Sequence, residues 1–71
     1  MSTKLPDYIR AMYTDAYKLH ETLQDMDNSP DSWLKCCDLI SKTTIRHNEH
    51  PLMVALAAAV FDQLERDRRG A

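Results

Sequence analysis

The helical pattern of this chain is first interrupted by the segment Asp27-Asn28-Ser29-Pro30-Asp31-Ser32. Ser29 is a residue type that caps helix N-termini, and Pro30 is favoured at the first helical position. Asp31 suits the positive end of the helix dipole that would begin there. The segment therefore predicts the end of one helix followed at once by the start of another.

The residues before this break carry a single apolar stripe. Its members recur at alternating steps of four and three residues, which places them on one side of an α-helix. They are Leu5, Ile9, Met12, Ala16, Leu19, Leu23 and Met26. The pattern predicts a first helix over residues 6–26.

The residues after the break predict a second helix over residues 30–48. The residues assigned to its main apolar face follow the same helical period. They are Trp33, Cys37, Ile40, Thr44 and His47. Leu34 and Ile45 extend this face in our interpretation, and Leu39 points to nearly the opposite side.

A second proline, Pro51, predicts the start of a third helix, over residues 51–69. The apolar seam expected to face the other two helices consists of Met53, Ala57, Val60 and Leu64. No stretch alternates between apolar and polar residues as a strand would, and the only glycine is Gly70. We expect an all-α, three-helix up-down-up bundle, or a helical hairpin that a partner completes.

Length and composition limit the chain to one domain. Its 71 residues are 44% hydrophobic and 28% charged, with a net charge of −2, which is typical of a globular protein and names no charged partner. We expect a single helical domain over residues 1–71 with short frayed ends. A core of this size is marginal without a staple or a partner.

The first residues and the cysteines indicate a cytoplasmic protein. Residues 1–7 contain no apolar stretch of the kind found in secretory signals. The longest charge-free apolar run, residues 51–61, is too short for a membrane-spanning helix. Cys36 and Cys37 are adjacent and point about 100° apart on a helix, which does not suit a disulfide within the chain.

Histidines and cysteines offer two candidate chemical pairs. His47 and His50 would meet across a turn, but two ligands without a zinc-binding spacing are a weak signal. His20 and Cys37 would meet if the first two helices fold back on each other, but no orienting group or oxyanion donor accompanies them. We expect no catalytic residues, no metal and no cofactor, and therefore no enzyme.

Nucleic-acid binding is the alternative function. A recognition helix needs polar side chains in its first turns, whereas the third helix begins with residues 52–57, which are all apolar. The basic residues of the second and third helices are interleaved with acidic ones. A small helical DNA- or RNA-binding regulator is therefore possible but not favoured.

The third helix carries more apolar surface than two neighbouring helices can cover. Val54, Ala58 and Phe61 form a second stripe at the spacing that docking helices use. Leu39 and Tyr17 add apolar surface outside the predicted seams. These five residues are our candidate partner-binding set, for a protein partner or, more simply, a second copy in a homodimer. The alternative is that the alanines are only good helix formers and that the stripe turns inward.

Overall fold

A computed structural model describes residues 4–70, which form three α-helices. α1 spans Asp7–Gln24, α2 spans Pro30–Arg46 and α3 spans Pro51–Gly70. All three helices contact one another, most extensively α1 with α3. The predicted all-α three-helix bundle is confirmed. The predicted frayed ends concern residues 1–3 and 71, which lie outside the described residues.

The apolar stripe of α1 is confirmed over its central turns. Its buried members are Met12, Ala16, Leu19 and Leu23. Leu5 is instead 51% exposed, because α1 begins only after Pro6, whose ψ of 153° is extended. The Pro6 carbonyl accepts hydrogen bonds from the backbone N–H groups of Ile9 and Arg10, at 3.1 Å each.

The start of α2 is confirmed in detail. The Ser29 hydroxyl accepts a hydrogen bond from the Ser32 backbone N–H at 3.2 Å, and Pro30 is the first helical residue. The Asp27 carboxylate accepts from the Ser32 hydroxyl and from the Ser29 N–H. These hydrogen bonds, that of Ser32 first, lower the pKa of Asp27 to about 2. The short connection from α1 is thus ordered by its own side chains.

The end of α2 is a Schellman motif. Glu49 N–H donates to the Thr44 carbonyl at 2.8 Å, and Asn48 N–H donates to the Ile45 carbonyl at 2.9 Å. Asn48 and Glu49 both have left-handed backbones, with φ of 56° and 54°. Asn tolerates this conformation, whereas Glu adopts it at a cost of about 1–2 kcal/mol.

The core consists of two clusters. Where all three helices meet, the buried residues are Leu19, Leu23, Cys36, Ala57, Val60 and Leu64. Nearer the start of α1, the buried residues are Met12, Ala16 and Met53, which join α1 to α3 alone. The predicted seam of α3 is therefore confirmed at all four positions.

The predicted inward face of α2 is wrong at Cys37, although Trp33 and Ile40 pack against the core as predicted. The buried residues of α2 are Cys36 and Thr43, whereas Cys37 is exposed, so the inward face is rotated by roughly 50° on a wheel of 100° per residue. Leu39, predicted to point away, packs against the three-helix core. Leu34 and Ile45, predicted to extend the inward face, are 70% and 61% exposed.

Arg68 of α3 ties the end of α1 to the start of α2. Its Nη2 donates to the carbonyls of Leu23 and Met26 at 3.1 and 2.9 Å, and its guanidinium lies 4.6 Å from the Trp33 ring centroid. α1 has no basic residue in its own last turn. Arg68 therefore supplies the cation that the negative end of this helix favours.

None of the helices described within residues 4–70 combines the length and the apolar character needed to cross a bilayer.

Candidate functional site

The main surface cavity is a groove between α2 and α3 that is open to solvent. Its volume is about 600 Å³. Its lining residues are Cys37, Ile40, Ser41, Thr44, Glu49, Val54, Ala57, Ala58 and Phe61. We call this feature the α2–α3 groove. Glu49 is the single charged residue in the lining, so the groove offers an apolar partner a surface that costs little to desolvate.

α3 contributes the stripe predicted from its sequence. Val54, Ala58 and Phe61 all line the groove, and buried Ala57 forms part of its floor. Val54 is 45% exposed. Phe61 is only partly exposed, because its ring packs edge-on against Trp33 with the centroids 5.5 Å apart. Phe61 therefore lines the groove and also joins α3 to α2 through its contact with Trp33.

α2 contributes small and medium side chains. Cys37 and Ser41 are exposed along the groove, whereas Ile40 and Thr44 lie deeper. The neighbouring Cys36 is fully buried, and this burial raises the pKa of its thiol. Cys37 is thus the accessible thiol of the pair, contrary to the predicted inward position.

The other two candidate binding residues lie elsewhere. Leu39 faces a smaller groove between α1 and α2, together with Asp15 and Thr43. Tyr17 is 67% exposed and borders a groove between α1 and α3, beside His20 and Leu56. The predicted set of five residues therefore divides into three that share one groove and two that do not.

The predicted pairing of His20 with Cys37 is wrong. His20 borders the groove between α1 and α3, and Cys37 lines the groove between α2 and α3. The rotation of α2 causes the error, because it turns Cys37 away from α1. A cysteine nucleophile in the α2–α3 groove therefore has no histidine beside it among the groove's lining residues.

His47 and His50 form hydrogen bonds with different groups. His47 Nε2 donates to the Asp15 carboxylate at 2.6 Å, and Arg46 donates to the same oxygen at 3.3 Å. The hydrogen bond from His47 is the main cause that lowers the pKa of Asp15. His50 Nδ1 instead accepts from the Leu52 backbone N–H at 3.1 Å. The Asp15–His47 contact joins α1 to the end of α2.

Within residues 4–70, no three His, Cys, Asp or Glu side chains come together as a metal site would require. The predicted absence of a metal and of a cofactor remains a prediction.

Sequence reasoning missed two exposed residues that flank the groove. Leu34 and Ile45 lie on the outer side of α2, three turns apart, next to Ser41 on the helical wheel. At 100° per residue they lie roughly 100–120° from the centre of the predicted seam, so the helical period already separates them from the inward residues. Their exposure extends the apolar surface of the groove across α2.

Comparison with protein-family models, with curated proteins and with solved structures found no match.

Proposed function

We propose that this chain is a small, non-enzymatic protein-interaction module, acting as an adaptor, regulator or inhibitor. The α2–α3 groove would receive the apolar face of a partner helix. The observation that supports this proposal is the nearly uncharged lining of a groove of about 600 Å³ that stays open to solvent. Apolar grooves that stay open to solvent are a common feature of association sites.

The shape of the groove favours a helix as its occupant. Val54, Ala58 and Phe61 follow the i, i+4, i+7 spacing, so one wall of the groove is two helical turns long. Cys37 to Thr44 gives the opposite wall the same length. A partner helix that lies between α2 and α3 would bury its apolar face against both of them, which is a common mode of peptide recognition.

The charge distribution supports protein binding over nucleic-acid binding. All nine basic residues lie within residues 4–70, and at least five of them form ion pairs with carboxylates. These are Arg10, Lys42, Arg46, Arg66 and Arg69. Arg68 is engaged with backbone carbonyls. A cation beside a carboxylate must give up that contact to neutralise a phosphate, and the carboxylate repels the phosphate, so little electrostatic affinity for nucleic acid is expected.

The proposal includes a cytoplasmic location. Two free and adjacent cysteines, one of them exposed, are typical of a reducing compartment.

Site-specific photo-crosslinking in cells tests the proposed function. A photoreactive residue at position 58, inside the groove, should give a protein adduct that disappears when Val54→Glu is added. The matched control is position 55, since Ala55 is exposed on the same helix but does not line the groove. Equal adducts from both positions, no protein adduct, or an adduct to nucleic acid would overturn the proposal.

A further inference from the structure

The outer side of α2 carries two large apolar side chains that the fold does not use. Leu34 is 70% exposed and Ile45 is 61% exposed. They are eleven residues apart, about three helical turns, so they lie on the same side of the helix. Ser41 and Cys37, both exposed, lie between them at the edge of the groove. We call these four residues the α2 ridge.

The α2 ridge has nearly the same order of side-chain sizes in both directions. Read along the chain, it is large, small, small and large, from Leu34 to Ile45. An antiparallel copy of α2 would therefore place Leu34 against Ile45 of the other copy, and Cys37 against Ser41. The small residues would lie near the two-fold axis, where they let two helices approach closely.

The charges beside the ridge also favour an antiparallel copy. Asp38 and Lys42 form an ion pair at 3.0 Å on the flank of the ridge away from α3. When two helices pair antiparallel about a two-fold axis, equivalent flanks meet in reversed order. Asp38 of each copy would then lie near Lys42 of the other, whereas in a parallel pair the equivalent flanks lie on opposite sides of the interface and this pairing is not made.

We infer that the occupant of this surface is a second copy of the chain, docked antiparallel through the α2 ridge with the two α2–α3 grooves facing each other. The inference rests on the proposed function and names the partner. One self-complementary patch suffices for a closed dimer, so no further surface of the chain is required.

Sedimentation equilibrium with charge reversal tests the register. The wild type should dimerise at micromolar concentration. Asp38→Lys and Lys42→Asp should each raise the dissociation constant about tenfold or more, because each brings like charges together across the interface. The double variant Asp38→Lys/Lys42→Asp should recover much of the affinity, since the opposite charges are then restored in exchanged positions. Circular dichroism checks that each variant stays helical.

Two further variants make the test independent of charge. Leu34→Glu should give a monomer with its helicity retained, because Leu34 supports no core contact, whereas Tyr13→Glu, at an exposed apolar residue of α1, should leave the dimer intact. Ser41→Cys should form intermolecular disulfides with native Cys37 under mild oxidation. Lys35→Cys, on another side of α2, should not.

The outcomes separate the two proposals. A dimer that resists Leu34→Glu, or double reversal without recovery, would overturn the antiparallel register. A wild type that stays monomeric at hundreds of micromolar would overturn self-docking. If position 58 then still captures a protein of another mass, the proposed function is retained while this inference fails. If it captures none, both fail.

Discussion

The Arg68 guanidinium lies 4.6 Å from the centroid of the Trp33 ring, so a cation of α3 stacks on an aromatic residue of α2. Two carbonyls at the end of α1 accept hydrogen bonds from the same guanidinium. One side chain therefore joins all three helices. Its other terminal nitrogen, Nη1, is buried without a hydrogen-bond partner among residues 4–70, and the desolvation of this N–H group offsets part of what the other contacts contribute.

Replacing Arg68 should destabilise the bundle. We expect Arg68→Ala to lower the free energy of unfolding by about 1.5–3 kcal/mol, the range for hydrogen bonds to a charged group. Urea unfolding followed by circular dichroism measures the change. The control is Arg66→Ala, whose exposed ion pair with Asp62 should contribute less than about 1 kcal/mol. Equal effects of the two variants would show that the contacts of Arg68 are not stabilising.

The two adjacent cysteines should behave differently. In dilute solution a thiol reagent should modify Cys37 rapidly and Cys36 only on unfolding, because Cys36 is buried and its thiol pKa is raised. Cys36→Ala should cost roughly 1 kcal/mol through lost burial, whereas Cys37→Ala should stay within about 0.5 kcal/mol. Mass spectrometry of the labelled protein assigns the site. Rapid labelling of Cys36 in the folded chain would place α2 in the orientation predicted from sequence.

The Asp15–His47 contact should make the free energy of unfolding depend on pH in the acid range. The folded-state pKa of Asp15 lies below its unfolded value of 3.8, chiefly because His47 donates a hydrogen bond to it. The folded chain thus binds fewer protons than the unfolded chain there. The contribution is fully present above about pH 5 and is lost as the pH falls through 3.8 and below.

Asp15→Asn should remove this part of the acid dependence. The variant should be less stable than the wild type at pH 7 by on the order of 1.5 kcal/mol, with the difference shrinking toward pH 3. Thermal unfolding across the pH range measures it. Asp25→Asn, at an exposed position immediately after α1, is the control. A difference that stays constant with pH would contradict the account.

The left-handed backbone at Glu49 offers a stabilising change. Glycine adopts a φ of 54° without the steric cost that Glu bears. Glu49→Gly removes this steric cost from the folded state, but glycine also gives the unfolded chain more conformational freedom. The net effect should be to raise the free energy of unfolding by up to about 1 kcal/mol. Glu49→Val, which is β-branched, should lower it. Chemical denaturation measures the free energy of unfolding of both variants. A lower value for Glu49→Gly than for the wild type would show that the backbone at Glu49 is not strained.

The sequence predicted the helices well and the orientation of α2 poorly, for a physical reason. Ser29-Pro30 marks the start of α2 clearly, and the buried residues of α3 follow one helical period. In α2, identical residues stand side by side at Cys36-Cys37 and again at Thr43-Thr44, seven positions later. Either member of each pair satisfies the apolar period, so hydrophobicity alone does not fix which one is buried.

Other features depend on contacts between distant parts of the chain. Arg68 reads in sequence as one of several cations at a helix end, and its contacts with Trp33 and the end of α1 arise only when the helices pack. The exposure of Leu34 and Ile45 depends on which face of α2 packs against the other two helices. The groove stripe of Val54, Ala58 and Phe61 was predictable, because it exceeds what two neighbouring helices cover.

The most direct test of the central claim is the rate at which a thiol reagent modifies Cys37 as the protein concentration is raised. Cys37 lines the α2–α3 groove, and the proposed second copy would cover it. The account predicts fast modification at nanomolar concentration and modification at least about tenfold slower at hundreds of micromolar, with Leu34→Glu fast at both. A wild-type rate constant that does not change with concentration would contradict docking of a second copy on this groove.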